Sequence, residues 1–318
     1  MKEDLSLDVL VTGGAGFIGS HLVRSLVGKG WTVVVLDDFS SGKKENLDEL
    51  SDSDGLRVVE GDVRDRKVVD EVIEGVDAVV HLAAFVDSAS SVGRPLETND
   101  INVNGTLNIL DACVKKGVSR FVFASSAGVY GDGNPLPLRE EYDLRPVSPY
   151  AASKVSGEYY CKVFCDCYGI NTVVLRFFNV YGPGQGANQY AGVITKFMSS
   201  GLRGEPLTIY GDGTQTRDFI NVEDVVGALG KALEFKSSGT EVFNVCTGKS
   251  LSINDLARYM QEAMGKHLRV LHVGPRVGDI LHSYGFRGKA QDVLGFEAQV
   301  DFEEGLKRYV QSMGKFHR

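Results

Sequence analysis

The stretch Val9-Leu10-Val11-Thr12-Gly13-Gly14-Ala15-Gly16-Phe17-Ile18-Gly19 constrains the fold more than any other part of the chain. A short apolar run enters a turn with glycine at 13, 16 and 19. A helical apolar pattern then runs from Phe17 to Val27, and Gly28 and Gly30 end it. Glycine lets backbone approach an anionic ligand closely, and a helix start offers free N–H groups and the positive end of its dipole. A glycine string alone could serve any tight turn. Its place between a first strand and a first helix makes it a dinucleotide-binding signal.

The same alternation continues. Trp31–Leu36, Leu56–Val59, Ala78–Leu82, Phe121–Ala124 and Thr172–Leu175 are short apolar runs. Lys67–Ile73, Ile101–Lys116 and Tyr150–Tyr168 have helical periodicity. Fully apolar strands alternating with helices predict a parallel sheet covered on both faces, a doubly wound α/β (Rossmann) domain. Past residue 178 glycine, proline and tyrosine become frequent, and helical segments recur at Gly192–Ser199, Val222–Glu234 and Ile253–Met264. We therefore expect a nucleotide domain over 1–178 plus about 217–245. A smaller mixed α/β lobe for the substrate would take about 179–216 plus 246–318.

With 34 basic and 42 acidic residues the net charge is −8, which argues against general nucleic-acid or anionic-membrane binding. The N-terminal residues lack an apolar signal core, so a cytoplasmic protein is expected. Cys161, Cys165 and Cys167 cluster without a C-x-x-C pair or a neighbouring histidine, and read as small buried residues rather than a metal or redox site.

The second strand ends at Asp37, 18 residues after Gly19, where an acid suits the adenosine ribose hydroxyls. It would repel a 2′-phosphate, so NAD is expected over NADP. Asp38 reads as a turn residue. Asp62 and Val63 follow the third strand and Leu82 ends the fourth, all placed to meet the cofactor, although Asp62 equally suits an ordinary turn. His81 reads as packing rather than as an acid or base.

Ser125-Ser126-Ala127-Gly128 closes the fifth strand, and buried hydroxyls need partners. Tyr150 and Lys154 are four apart, hence on one helical face, and no other tyrosine of the twelve has lysine at that spacing. A buried ammonium, with a nicotinamide cation nearby, favours tyrosinate. Lowering a tyrosine pKa from about 10 to about 7 requires about 4 kcal/mol and would make Tyr150 a general base. On spacing alone the pair could also be a surface pair.

Taken together, Gly13-x-x-Gly16-x-x-Gly19, Ser125-Ser126, Tyr150-x-x-x-Lys154, Arg176-Phe177-Phe178-Asn179-Val180-Tyr181-Gly182-Pro183 and Arg276-Val277-Gly278-Asp279 resemble the extended short-chain dehydrogenase/reductases of the NAD-dependent epimerase/dehydratase type. Within these, the chain looks most like the UDP-glucose 4-epimerase group. The resemblance implies tightly bound NAD and a UDP-sugar substrate. It makes Ser126, Tyr150 and Lys154 catalytic, with Ser126 bonding the sugar 4-hydroxyl and Lys154 also holding the nicotinamide ribose. Asn179 and Arg217 would take the phosphates, with Arg276 as a second guanidinium. Asp279 would meet the uridine ribose, Tyr210 and backbone at Val193 the base, and Ser283 the sugar C2 substituent. Arg217 could instead pair with Asp218, and Tyr210 could be a core residue.

Related 4,6-dehydratases place an Asp-Glu pair after the catalytic serine, and related decarboxylases a glutamate. This chain has Ala127-Gly128. The resemblance thus points to C4 epimerisation. Another nucleotide-sugar epimerase, a reductase, a dehydratase or a non-catalytic NAD sensor on the same fold are the alternatives. It also implies a homodimer through two helices, with Val103, Leu107, Leu110, Val155 and Tyr159 as candidate contacts. The same residues could simply cover the sheet.

Overall fold

A computed structural model of the chain describes residues 6–186, 192–237, 239–275 and 280–314. It divides into two compact units. The first takes residues 1–129, 146–176 and 226–243, the second 130–145, 177–225 and 244–318.

The first unit carries β1 (Asp8–Thr12), α1 (Phe17–Gly28), β2 (Thr32–Asp37), β3 (Leu56–Glu60), α2 (Arg66–Val72), β4 (Ala78–His81), β5 (Arg120–Ser126) and β6 (Asn171–Phe177). With an edge strand, Thr240–Val245, they form a seven-stranded sheet in the order edge-β6-β5-β4-β1-β2-β3. Pairing is parallel from β3 through β5. Val9, Leu10, Val11, Val79 and Val80 are fully buried, as strands covered on both faces must be. Strand order reverses between β1 and β4. Ligands of open α/β sheets bind at such a switch point, outside the carboxyl ends of the strands. Thr12, Asp37, His81 and Ser126 all stand at those ends.

The long helix expected from Ile101 begins differently. A π turn, Asp100–Asn104, leads into the helix Gly105–Lys116. The helix Pro149–Tyr168 starts as its sequence demands, with Pro149 in the first turn and Ser148 Oγ accepting from the Ala151 N–H at 3.1 Å. Short helices at Ser88–Gly93 and Pro95–Asn99 carry no apolar period long enough to be read from the sequence. Among the candidate dimer contacts, Val103 and Leu110 are buried, Leu110 within the core under the sheet. Leu107 and Val155 are half-buried, and Tyr159 is 60% exposed. Cys161 is buried as expected, but Cys165 is only half-buried and Cys167 is exposed. The reading of all three as buried therefore fails toward the end of the helix.

In the second unit Asn179–Tyr181 pairs with Phe219–Asn221, and Leu207–Tyr210 with Val270–Val273. Thr216–Arg217 lies between Leu251–Ser252 and His282–Ser283. Phe197, Met198, Leu207, Leu256, Met260 and Tyr309 fill its core. Residues 130–145 and 217–225 fall in this unit, unlike the boundaries read from the sequence. Asn244 ties the first of these segments down: it accepts from the Tyr130 hydroxyl at 2.6 Å, and donates to the Leu138 carbonyl from Nδ2 and to Glu140 from its backbone N–H, both at 2.9 Å. Among the described residues no helix is long and apolar enough to cross a membrane.

Candidate active site

The glycine turn is built for close backbone approach. Gly13 has φ +70°, and a Cβ there would stand 2.8 Å from the Ala83 nitrogen. At Gly19 a Cβ would stand 2.1 Å from the Gly13 carbonyl oxygen, so the first turn of α1 can pack on the loop only without a side chain. Gly16 is the N-cap of α1 and brings no capping side chain. The amides of Phe17, Ile18 and Gly19 lie in a first turn, where helix geometry offers no internal acceptor. Asp37 is buried and accepts from the Ala15 N–H and the Phe39 N–H, both at 2.9 Å. Each oxygen keeps a lone pair for a ribose hydroxyl. Burial, the largest influence, holds its pKa above the ordinary carboxylate value. Amide donors in a side-chain-free cradle beside an acceptor carboxylate fit a dinucleotide. Leu82 donates to the Thr12 carbonyl at 3.1 Å, next to this loop. Val63 is buried against Gly105. Asp62 forms a turn, its Oδ1 accepting from the Arg64 N–H at 2.8 Å, and the Arg64 guanidinium holds its carboxyl below the usual range.

Ser126, Tyr150 and Lys154 come together as read from the sequence. The Ser126 side chain lies close enough to the Tyr150 hydroxyl to pull its pKa down, and Ser126 Oγ accepts from the Gly128 N–H at 3.1 Å. Lys154 is buried, donates from Nζ to the Ala124 carbonyl at 2.8 Å, and lies 6.0 Å from the centre of the Tyr150 ring. Burial raises the Tyr150 pKa, outweighing the Ser126 side chain that lowers it. The ammonium expected to reverse this is itself weakened, since burial brings Lys154 down to about 8. Desolvation penalises every charged form in the site, so spacing alone does not make the base.

Below these groups lies a layer that went unread in the sequence. Ser125 Oγ donates to Glu158 Oε1, and Glu158 is paired with Arg176 at 2.7 Å. Ser125 is thus the supporting serine of the two. Glu158 follows Tyr150 by two turns of the same helical face, a signal available in the sequence. Asn102 of the π turn donates to Ser153 Oγ at 2.8 Å, and Ser153 Oγ donates to the Tyr150 carbonyl at 2.7 Å. π turns often mark functional sites, but nothing in local sequence announces this one.

His81 is packing, as read. Thr106 donates to the Asn102 carbonyl at 2.6 Å, so its oxygen accepts from His81 Nε2 at 3.0 Å, and Nδ1 accepts from Thr12 Oγ1 at 2.7 Å. Both ring nitrogens are satisfied in the neutral form, and burial brings the pKa down to about 3.

In the second unit Asn179 is exposed at the start of its strand, and Val193 opens the helix Val193–Arg203. Tyr210 is 38% exposed, so it is no core residue. Arg217 Nη1 donates to the Thr216 carbonyl at 2.8 Å. Asp218 points into the core, accepting from Thr247 N–H and Oγ1 and from Gly248 N–H at 2.7–2.9 Å. Ser283 is buried and stands in register with Arg217, whereas His282 is exposed and bonded to Thr216 Oγ1 at 3.1 Å. Arg276 and Asp279 lie outside the described residues.

Comparison with known proteins gives the family. The NAD dependent epimerase/dehydratase family matches over residues 9–246. The UDP-glucose 4-epimerase of Mycolicibacterium smegmatis is 38% identical, over 95% of this chain and 97% of its own. A UDP-glucose 4-epimerase of Thermotoga maritima, solved with UDP-glucose, superposes with TM-score 0.93 and 38% identity, covering 98% of this chain and 100% of that one. A UDP-N-acetylglucosamine 4-epimerase of Methanobrevibacter ruminantium, solved with UDP-N-acetylmuramic acid, also superposes with TM-score 0.93 and 38% identity, covering 98% and 99%. The chain belongs to the NAD dependent epimerase/dehydratase family, within the extended short-chain dehydrogenase/reductases, and NAD is its cofactor.

Proposed function

We propose that the protein interconverts the C4 epimers of a UDP-hexose, UDP-glucose and UDP-galactose among them. The observation that carries this reading is Ser126, Tyr150 and Lys154 brought together with Ala127 and Gly128 beside them. The glycine turn and Asp37 would hold NAD, with Lys154 on the nicotinamide ribose. Bound in its oxidised form, NAD supplies the hydride acceptor and a positive charge that favours tyrosinate. Ser126 bonds the 4-hydroxyl and passes its proton to Tyr150, which returns it when the ketone becomes an alcohol again. With alanine and glycine at 127 and 128, no side chain at those positions can take the C5 proton or expel the 6-hydroxyl. The 4-ketone then has only reduction open to it, and reduction from its other face inverts C4. Asn179 and Arg217, with Arg276, take the phosphates, a task that suits a guanidinium fork. An intact serine, tyrosine and lysine speak against a pure sensor.

Incubation with UDP-sugars and no added reductant tests this. We expect both 4-epimers at equilibrium from either starting sugar. Strict dependence on NADPH, or an irreversible dehydrated or decarboxylated product, overturns it. We also read the protein as a homodimer through the catalytic helix, where Tyr159 and Val163 are exposed. A monomeric mass by light scattering refutes that.

A further inference from the structure

Three consecutive residues at the end of β5 are each met by the catalytic helix. Lys154 donates to the Ala124 carbonyl at 2.8 Å, Ser125 donates to Glu158, and Ser126 lies beside the Tyr150 hydroxyl. Tyr150, Lys154 and Glu158 stand at i, i+4 and i+8, so one helical face meets three successive residues of one strand. Arg176 of the neighbouring β6 grips Glu158 from the sheet. Its Nε donates to Oε1 at 3.0 Å and its Nη2 to Oε2 at 2.7 Å, with the two side chains only 4% and 7% exposed. Buried ion pairs cost desolvation and are often replaceable by apolar residues without loss of stability. One under a catalytic helix calls for a reason other than stability.

We propose that Glu158 is a positioning residue. Held by Arg176, it fixes Ser125, and so the end of β5, at the register where Ser126 meets Tyr150, and it sets a negative charge beneath Lys154. This rests on Tyr150 and Lys154 being the catalytic groups. Lys154 faces Tyr150, Glu158 and Cys161 on its own helix, the Ala124 carbonyl and the Phe123 ring on β5, and His81 on β4; Arg176 on β6 faces Glu158. Burial keeps Cys161 and His81 neutral. Removing the Glu158 charge takes away a negative charge that favours the Lys154 cation, whose proton then leaves at lower pH.

The test uses the NAD-loaded full chain with Glu158→Gln, Ser125→Ala and the apolar double variant Glu158→Leu with Arg176→Met. One readout needs no sugar: the tyrosinate absorbance of each protein against the same protein carrying Tyr150→Phe. In Glu158→Gln we expect Tyr150 to ionise at lower pH, because a buried negative charge two turns along its helical face is gone. We also expect kcat to fall by about 10- to 100-fold, the scale of a misplaced catalytic group. KM should hold, and the alkaline limb of the rate profile should move to lower pH. Ser125→Ala should lower kcat without moving that limb. A folded Glu158→Gln protein with wild-type tyrosinate titration overturns the proposal, and so does wild-type kcat in Ser125→Ala. If Glu158→Gln does not fold, the double variant decides: wild-type titration and kcat overturn the proposal, and a depressed kcat in a folded protein supports it. If the wild type turns over no UDP-sugar, the proposed function falls while the titration still decides this one.

Discussion

The two units hold their functional residues in different ways. In the first, Ser126, Tyr150 and Lys154 stand on a strand end and one face of a long helix, and a buried bond to the Ala124 carbonyl ties Lys154 in place. In the second, Asn179 and Tyr210 are exposed, and Arg217 and Ser283 sit on two-residue strands. Proton transfer depends steeply on position, so its groups belong on rigid elements. Recognition of a sugar nucleotide tolerates variation, and short strands joined by loops supply it. Substitutions in the first unit should therefore act on kcat and those in the second on KM and selectivity.

The largest effect tests the first half of that contrast. Tyr150→Phe removes the base and leaves the glycine turn and Asp37 untouched. Turnover should fall at least about 100-fold, the usual scale of general base catalysis, with NAD still bound. Ser126→Ala should cost less, because Tyr150 can accept the proton directly. Steady-state kinetics beside cofactor content checks both, and near-normal turnover in Tyr150→Phe breaks the comparison at its root.

Next comes an effect of burial itself. Lys154 titrates at about 8 in the folded chain against an ordinary 10.5. Between those values the unfolded chain holds the proton and the folded chain has released it, so this group adds stability as pH rises from 8 to 10.5. Below pH 8 both states are protonated and its full cost of about 3 kcal/mol is present. Activity should run the other way, falling above pH 8 as the cation is lost. Urea denaturation of wild type and Lys154→Met across this range measures the difference, and parallel stability curves would show that the lysine is not held this way.

Arg217→Ala probes the second unit. Hydrogen bonds to charged groups contribute about 1.5–3 kcal/mol, so KM for the sugar nucleotide should rise about 10-fold or more while kcat changes little. Lysine there should restore only part, having no fork. A fall in kcat at unchanged KM would place Arg217 with the chemistry instead.

What the sequence disclosed follows the same division. The strand–glycine–helix opening, six of the seven strands of the sheet and the Tyr150–Lys154 pair were legible, because local periodicity and spacing encode them; the edge strand Thr240–Val245 went unread. The burial around Tyr150 was not legible, because it arises only when β5, β6 and the helix pack together. Glu158 and Arg176 meet across 18 residues, and no local pattern joins them. In the second unit the strands at Thr216–Arg217 and His282–Ser283 are too short to show any alternation, so their pairing across 66 positions appears only in the fold.

That pairing sharpens the finest prediction, the choice of sugar. A one-residue shift in the reading of Arg276 to Ser283 would exchange Ser283 for His282 at the sugar position. The register sets Ser283 beside Arg217 with its side chain buried, and leaves His282 exposed on Thr216. If Arg217 holds the phosphates, the small residue is the one near the sugar. A serine leaves room for an N-acetyl group at C2, whereas tyrosine would fill it. Overpacking costs about 1–3 kcal/mol, so Ser283→Tyr should cut kcat/KM for UDP-N-acetylglucosamine by about 10- to 100-fold and spare UDP-glucose. Exclusion is the strong direction of the argument, since an open pocket admits the larger sugar without selecting it. The two sugar pairs run on both proteins decide it. Wild type inert toward N-acetyl sugars, or a tyrosine variant equally active on them, removes Ser283 from the sugar site.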